Sequence, residues 1–468
     1  MLKLFEMRYL VTTAIPYINS DPHIGFLWEL LLADFFARYQ RNLGFDVRFI
    51  TGTDENAIKV QRAAEEAGIS TIEFVNKRAA TYQKLINDFD ISINKFIRTS
   101  SWEHKNFVQK FWLSVVEDIY FGEYSGLYCF RCEDFYEETE LENGVCPVHH
   151  KPVEIYKEKN YFFRLTKYLP RVQKLLEKNI IKILPTEKKK EILTILKSGK
   201  IKDISISRSK QRTKGWGIEV PGDNSQVIYV WFDALLNYLT GSEDIWQNKD
   251  LEIIHIFGKE ITKFHLIYWP AMLLAGDYKM FNRAVIHGHI LNRGEKMSKS
   301  LGNVIAPSDL LNKYDPDVIR YYFLRHSQIK EDWSFSWENL EQIYEGELKK
   351  EIGNLISRIN GIFKNKNFSQ KVKISVESSL KSAIYNFQFL KISEIIIKKA
   401  KSLNSFIDKN RLWEKEDKKN YQLLISKFGE LISLLDAVMP QTTLTIRNFF
   451  LENGTFISPK IQITPLFK

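Results

Sequence analysis

The chain has almost no cysteine, only 3 in 468 residues. Cys129, Cys132 and Cys146 all fall within one short stretch, so no pair is left over for a structural disulfide. That excludes a disulfide-built secreted scaffold and predicts a reducing, cytoplasmic setting. Apolar runs approaching the ~18 residues of a membrane helix are missing too, so no membrane partner is expected. The opening Met1-Leu2-Lys3-Leu4-Phe5-Glu6 is too short and too acidic to read as a signal or transit peptide. Internal repeats and low-complexity linkers are absent, which excludes solenoid and tethered-module architectures.

What is present is ordinary globular material, 44% hydrophobic and 26% charged. The length exceeds one compact core and predicts two to four domains. The net charge of +10 is unevenly placed. Residues 161–220 carry 16 Lys and Arg against 5 Asp and Glu, and residues 341–468 carry 21 against 13. The remainder is therefore acidic. Two separated basic regions suit a large anion that touches the protein twice, and nucleic acid is the obvious candidate. Lysine-rich solvated helices need no partner, so charge alone does not decide it.

The cysteines form a CxxC, Cys129-Phe130-Arg131-Cys132, followed by a CxxH, Cys146-Pro147-Val148-His149. Two short knuckles that each offer two ligands suit tetrahedral zinc, and soft S₃N ligation favours that metal. With four protein ligands no position stays open for a catalytic water, so the zinc is structural. His150 is an alternative fourth ligand.

Three other stretches carry chemistry. Arg8 to Thr12 reads as a buried strand. A loop from Ala14 to Gly25 follows, then a long apolar helix from Phe26 to about Leu43. This places His23 at a helix N-terminus, where anions bind. Asp46 to Thr51 reads as a second strand, with Asp54 just beyond it. Ligands of α/β sheets bind at such strand ends, although an ordinary helix N-cap is the alternative. Further on, Glu295-Lys296-Met297-Ser298-Lys299-Ser300-Leu301-Gly302-Asn303 sets two lysines three apart on a loop, a clamp for a polyanion. Val227 to Trp231, Ile253 to Gly258 and Ala284 to His287 read as further strands. The α/β pattern thus breaks at about 118 and resumes at about 227, which predicts a doubly wound parallel sheet of Rossmann type with an insertion. From about 338 to near 452 the pattern is helical. Asn354 and Arg358 share a helix face there, and Asn404 and Trp413 lie near another helix end, a set that can stack on and bond unpaired bases.

His23-Ile24-Gly25, KMSKSLGN, YVWFDALLNY and the cysteine spacing together resemble the methionyl-tRNA synthetases, class I enzymes of the bacterial type with a single-zinc inserted domain. The resemblance runs from Tyr9 to Phe467. It implies a catalytic Rossmann-type domain in two halves, 1–117 and 227–300, split by a zinc-binding connective domain at 118–226. A stem-contact region at 301–345 and an all-α helical-bundle anticodon-binding domain at 346–468 follow. The implied reaction joins L-methionine to ATP as methionyl-adenylate, releases pyrophosphate, and passes methionine to the 3′ end of tRNA(Met). His23, Lys296 and Lys299 are then the implied catalytic residues, and Gly25 and Ser298 join them in binding ATP with its Mg²⁺. Asp54 would hold the methionine ammonium. Ala14, Ile15, Tyr17, Trp231, Ala234, Tyr238, Ile261 and His265 would form the side-chain pocket, with Tyr17 or His265 donating to the sulfur. Asn354, Arg358, Asn404 and Trp413 would read the anticodon. The chain stops where the family's helical domain stops, so a monomer is expected.

The chain departs from the family's usual pattern in four places. Phe26 stands where the first motif ends in His, and Phe has no hydrogen to donate to a phosphate. Asn56-Ala57, Leu235 and Leu412 also differ. Two other readings are open. A class I synthetase for leucine, isoleucine, valine or cysteine is one, and the aromatic pocket and the lack of a large editing insertion argue against the first three. A non-catalytic RNA-binding relative is suggested by Phe26 and Asn56-Ala57, but it would not need to keep His23, Asp54, Trp231, Lys296 and Lys299.

Overall fold

The structure is a computed structural model that describes residues 8–129, 134–136, 141, 143–147, 150–297, 302–372, 380–414 and 416–467. Four predicted site residues, Cys132, His149, Ser298 and Lys299, lie outside these.

The central sheet has six strands: β1 (Arg8–Thr13), β2 (Asp46–Thr53), β3 (Lys95–Arg98), β4 (Lys182–Leu184), β5 (Leu251–Gly258) and β6 (Arg283–His287). Their order is β3-β2-β1-β5-β6-β4 and every pairing is parallel. β5 is buried at every residue, as befits a strand covered on both faces. The chain leaves β1 toward β2 on one side and finds β5 on the other. The carboxyl ends of β1 and β5 therefore border the crevice where doubly wound sheets bind ligands.

Helix α1 (Ile24–Asn42) lies against β1, β2 and β5 and is apolar nearly all round. A helix of that kind must be covered on every side. Its outer cover is the C-terminal helical region, where the Phe36 ring stacks flat on Phe387 at 4.9 Å. One hydrophobic core therefore runs from Tyr9 in the sheet to Phe467. A charged knot interrupts it. Asp34, fully buried in α1, receives Arg320 Nη2 at 2.6 Å and Arg38 Nε at 2.9 Å. Arg320 also donates to the carbonyls of Phe89, Ala437 and Val438. All its bonds are charge-assisted or to backbone carbonyls, the condition under which a buried guanidinium is tolerated.

The inserted segment opens with a long antiparallel ribbon, Ile119–Cys129 against Glu154–Phe163. It is not separate from the sheet along its whole length: within 118–226, β4 returns to pair with β6. Sequence pattern missed β4 because it has only three residues, in a lysine-rich surround, and becomes a strand by pairing along β6 with Ile183 buried. A second correction concerns Val227 to Trp231. The strand is Asp223–Ile228 and a helix begins at Val230, so Trp231 sits on a helix. The β-branched and aromatic residues there suit either state, and the tertiary setting chose.

The C-terminal region is helical, with long helices at Phe389–Asn410 and Lys418–Asp436. It is not all-α. Ser369–Lys371, Leu451–Glu452 and Thr455–Ile457 form a small antiparallel ladder that draws the chain end back onto the bundle.

Candidate active site

A cavity of about 380 Å³ opens at the carboxyl ends of β1, β2, β5 and β6. All nine predicted methionine-pocket residues line it, together with His23, Gly25 and Lys296. These come from places as distant in sequence as Ala14 and Lys296, so the fold assembles them. A second hollow, of about 450 Å³, lies beyond the flat stack of Trp231 on Phe264 at 3.6 Å. Of the predicted residues it holds only Trp231.

His23 caps α1, and its Nδ1 accepts the Gly25 N–H at 3.0 Å. That bond assigns the ring proton to Nε2, which is left as a donor. Burial lowers the His23 pKa; Glu260 opposes this and Lys296 adds to it. A Cβ on Gly25 would come within 2.8 Å of the His23 ring, so the close approach requires glycine there. Phe26 is buried in the cavity wall with its ring 5.4 Å from Tyr82.

Asp54 is buried and follows β2 directly. Its backbone N–H donates to the Pro16 carbonyl at 2.9 Å, which ties the β1 loop to the β2 end. It is not a helix cap, because the next helix starts at Ile58 and its cap is Ala57. Glu55 faces away and receives Arg98 Nε at 2.8 Å and Nη2 at 2.9 Å. Trp216 of the insertion donates to the Glu55 carbonyl at 2.7 Å. Asn56 has a job of its own, since its amide donates to Asp233 Oδ2 at 2.9 Å and to the Thr99 carbonyl at 3.0 Å. Asp233 is fully buried, and its carboxyl is held well above the usual carboxylate range, first by burial and then by the charge of Asp54.

Aromatic rings wall the deeper part. Tyr17 meets Trp231 edge-on at 6.2 Å, and Lys59 Nζ sits 3.5 Å above the Tyr17 ring. His265 Nδ1 lies 3.0 Å from the Ile261 carbonyl and must donate to it. Its Nε2 therefore accepts from the Tyr238 hydroxyl at 2.7 Å. Both ring nitrogens are engaged, so of the two sulfur donors offered by the sequence, Tyr17 and His265, His265 has no ring N–H to spare. Burial pushes its pKa down to about 4, so it is neutral at neutral pH.

Sequence reasoning missed Glu29, His287, Glu260 and His289, all on the cavity wall. Glu29 Oε2 and His287 Nε2 pair at 2.9 Å. Three of the four follow or end β5 and β6, and their only sequence signal was that position. Lys296 is presented by a two-residue hairpin between Ile290–Asn292 and Glu295–Lys296. Arg293 and Gly294, with φ of 52° and 82°, make the positive-φ turn that suits strand twist. The Asn303 amide donates to the Lys296 carbonyl at 3.3 Å.

A family model described as tRNA synthetases class I (M) matches residues 9–153 and 132–360. The chain is 36% identical over 432 residues to the chloroplastic/mitochondrial methionine–tRNA ligase of Arabidopsis thaliana, covering 86% of this chain and 70% of that one. It is 33% identical over 480 residues to the methionine–tRNA ligase of Fusobacterium nucleatum, covering 95% and 74%. The chain belongs to the methionyl-tRNA synthetases. Among solved structures, Mycobacterium tuberculosis methionyl-tRNA synthetase in complex with methionyl-adenylate superposes with a TM-score of 0.87 at 28% identity, covering 98% of this chain and 99% of that one.

Residues expected at two further sites of a methionyl-tRNA synthetase lie in part among the described residues. Arg358 donates to Asn404 Oδ1 at 3.4 Å, is paired with Asp408, and lies 5.7 Å from the Trp413 ring. Trp413 is half exposed, and Asn354 is exposed one turn before Arg358. At the cysteine motif, Cys129 ends a strand that turns back as Asp134–Tyr136. The Cys146 sulfur lies 3.7 Å from the Tyr136 hydroxyl. Cys129 and Cys146 are both buried. Among the described residues no three His, Cys, Asp or Glu side chains form a metal-binding group.

Proposed function

We infer that this chain is a methionine–tRNA ligase that activates methionine with ATP and transfers it to tRNA(Met). The observation that carries this is the cavity that joins an acid-bearing aromatic pocket to His23 and Lys296. A buried carboxylate beside an apolar pocket suits an α-amino acid, with Asp54 taking the ammonium by a charge-assisted bond. The aromatic walls suit a polarizable thioether. Shape alone separates side chains that differ by a methylene only ~10- to 200-fold, so the closed Tyr238–His265 pair adds selectivity by leaving no donor for a polar rival.

At the other end, His23 Nε2–H and Lys296 would contact the polyphosphate of Mg²⁺-bound ATP, with Lys299 and Ser298 completing the loop. No enzyme nucleophile is required. The methionine carboxylate attacks the α-phosphate and pyrophosphate leaves, so catalysis is positioning plus charge stabilisation. Arg358, Asn404, Trp413 and Asn354 would take the anticodon. Zinc would be held by Cys129, Cys132, Cys146 and either His149 or His150, and would brace the inserted hairpins. The soft donor set and the burial of Cys129 and Cys146 support this fit. A cytoplasmic monomer belongs to the same proposal.

The test is ATP–pyrophosphate exchange with each amino acid in turn, without tRNA. Exchange with methionine alone is expected. Folded, zinc-loaded protein that exchanges with none would favour the RNA-binding relative instead.

A further inference from the structure

Phe26 leaves the anion end of the cavity one imidazole short, and the structure holds another there. His289 lines the same cavity as His23, Phe26 and Lys296. It follows β6 by two residues, and its backbone is firmly anchored. The His289 N–H donates to Asp332 Oδ1 at 2.8 Å, and Lys259 Nζ holds both oxygens of Asp332 at 2.8 Å. Gly288 is pressed so closely on this loop that a Cβ would meet Asp332 Oδ1 and the Glu331 carbonyl at 2.6 Å. The site for the ring is thus set by backbone contacts that do not depend on the ring itself.

His289 Nε2 lies 3.6 Å from Glu260 Oε2, an ion-pair distance but too long for a hydrogen bond. Glu260 also acts on His23, and Lys296 acts on both imidazoles. Half-exposed Glu260 thus faces His289 directly and acts on His23 from the same cavity. Donors held loosely around an internal acid are ready to be taken up by a stronger anion. Besides Glu260, the charged groups that face His289 are Lys296, Lys259 and Asp332.

We propose that His289 makes the imidazole contact to the ATP phosphates that Phe26 cannot make, the motif's missing histidine being replaced from the end of β6. This rests on the cavity being the ATP site. The role is non-covalent: one ring N–H donates to a non-bridging phosphate oxygen and follows the charge that builds on departing pyrophosphate. His289 would thereby be a second catalytic imidazole beside His23.

The experiment is methionine-dependent ATP–pyrophosphate exchange by wild type, His289→Phe, His289→Asn and the double variant Phe26→His/His289→Phe, with thermal melts alongside. His289→Phe is expected to lower kcat/KM for ATP by about 100-fold while the methionine KM stays within about twofold. His289→Asn, which keeps a donor, is expected to fall between, and Phe26→His is expected to restore about 10-fold of the loss. His289→Phe activity within about twofold of wild type would overturn the proposal. So would a loss that Phe26→His does not relieve in folded protein, because His289 would then serve the Glu260 ion pair alone. Wild type inert with every amino acid would instead refute the synthetase reading. Calorimetry with ATP then decides, and equal affinity in wild type and His289→Phe would sink the phosphate contact.

Discussion

Two fully buried aspartates behave oppositely because of their partners. Asp34 faces the guanidiniums of Arg320 and Arg38. Burial works against its charge, but the two arginines and Ser92 outweigh it, and its pKa is lowered. Folding releases a proton there, so its stabilisation is present above the unfolded value of ~4 and is lost as pH falls through the folded one. Asp233 faces Asp54 with one amide donor, and its pKa is raised, first by burial. Folding takes up a proton there, so stability is present below ~4 and declines as pH rises through the folded value. Asp34→Asn is therefore expected to cost about 3–5 kcal/mol at pH 7 by denaturant unfolding, the scale for breaking a buried ion pair. Asp233→Asn is expected to be neutral or stabilising there. The same logic leaves Asp54, rather than Asp233, as the carboxylate for a substrate ammonium. Asp54→Asn should raise the methionine KM in exchange assays about 10- to 100-fold, the factor for a charged hydrogen bond, and Asp233→Asn should leave it nearly unchanged. Equal effects from the two would refute this division. Asp54 was legible in sequence as an acid at a strand end. Asp233 was not, because its role comes from Asn56, far away in the chain.

At the scale of elements, α1 and the Arg293-Gly294 hairpin bring His23 and Lys296 to one cavity. Between His23 and Asp34 the helix rises about 16 Å, so the knot at Arg320 anchors the same rod that ends at the cavity. The hairpin depends on Gly294, which has φ +82° and nothing within 4 Å of where a Cβ would lie. Gly294→Ala thus probes backbone strain alone, about 1–2 kcal/mol. It is expected to lower exchange kcat about 10-fold, with methionine KM unchanged and Gly294→Asn partly tolerated. An effect on methionine KM of the same size would show that the hairpin does more than present Lys296. The strand–loop–helix before Asn42 was readable because its apolar period and its Pro, Asn and Gly punctuation agree. β4 and the helix at Val230–Leu235 were not, because a three-residue strand and a mixed aromatic run carry no period of their own.

Across the whole molecule, neither Arg358 nor Trp413 lines the cavity that holds His23 and Lys296. Trp413→Ala is expected to lower the tRNA charging kcat/KM about 10- to 100-fold, the scale for a lost base stack, with exchange unaffected. Charging should also weaken steeply with salt while exchange does not, because counterion release attends only the tRNA contact. A parallel loss of both activities would place Trp413 in the general fold. Removal of zinc by a chelator should unfold the inserted hairpins, read by hydrogen exchange, and leave ATP binding partly intact. Freshly purified protein without bound metal would refute the zinc site.

The amino-acid order alone determined the class of sheet, the helical C-terminal region and most of the cavity's walls. Each is written in local period, in turn residues or in short motifs with their own chemistry. Only the tertiary structure decided that the charge of Asp54 helps raise the Asp233 carboxyl, that both His265 nitrogens are engaged, and that His289 lines the same cavity as His23 and Lys296, 3.6 Å from Glu260. Those facts depend on distances between residues separated by up to hundreds of positions, and a chain's local pattern holds no measure of such distances until its strands are laid side by side.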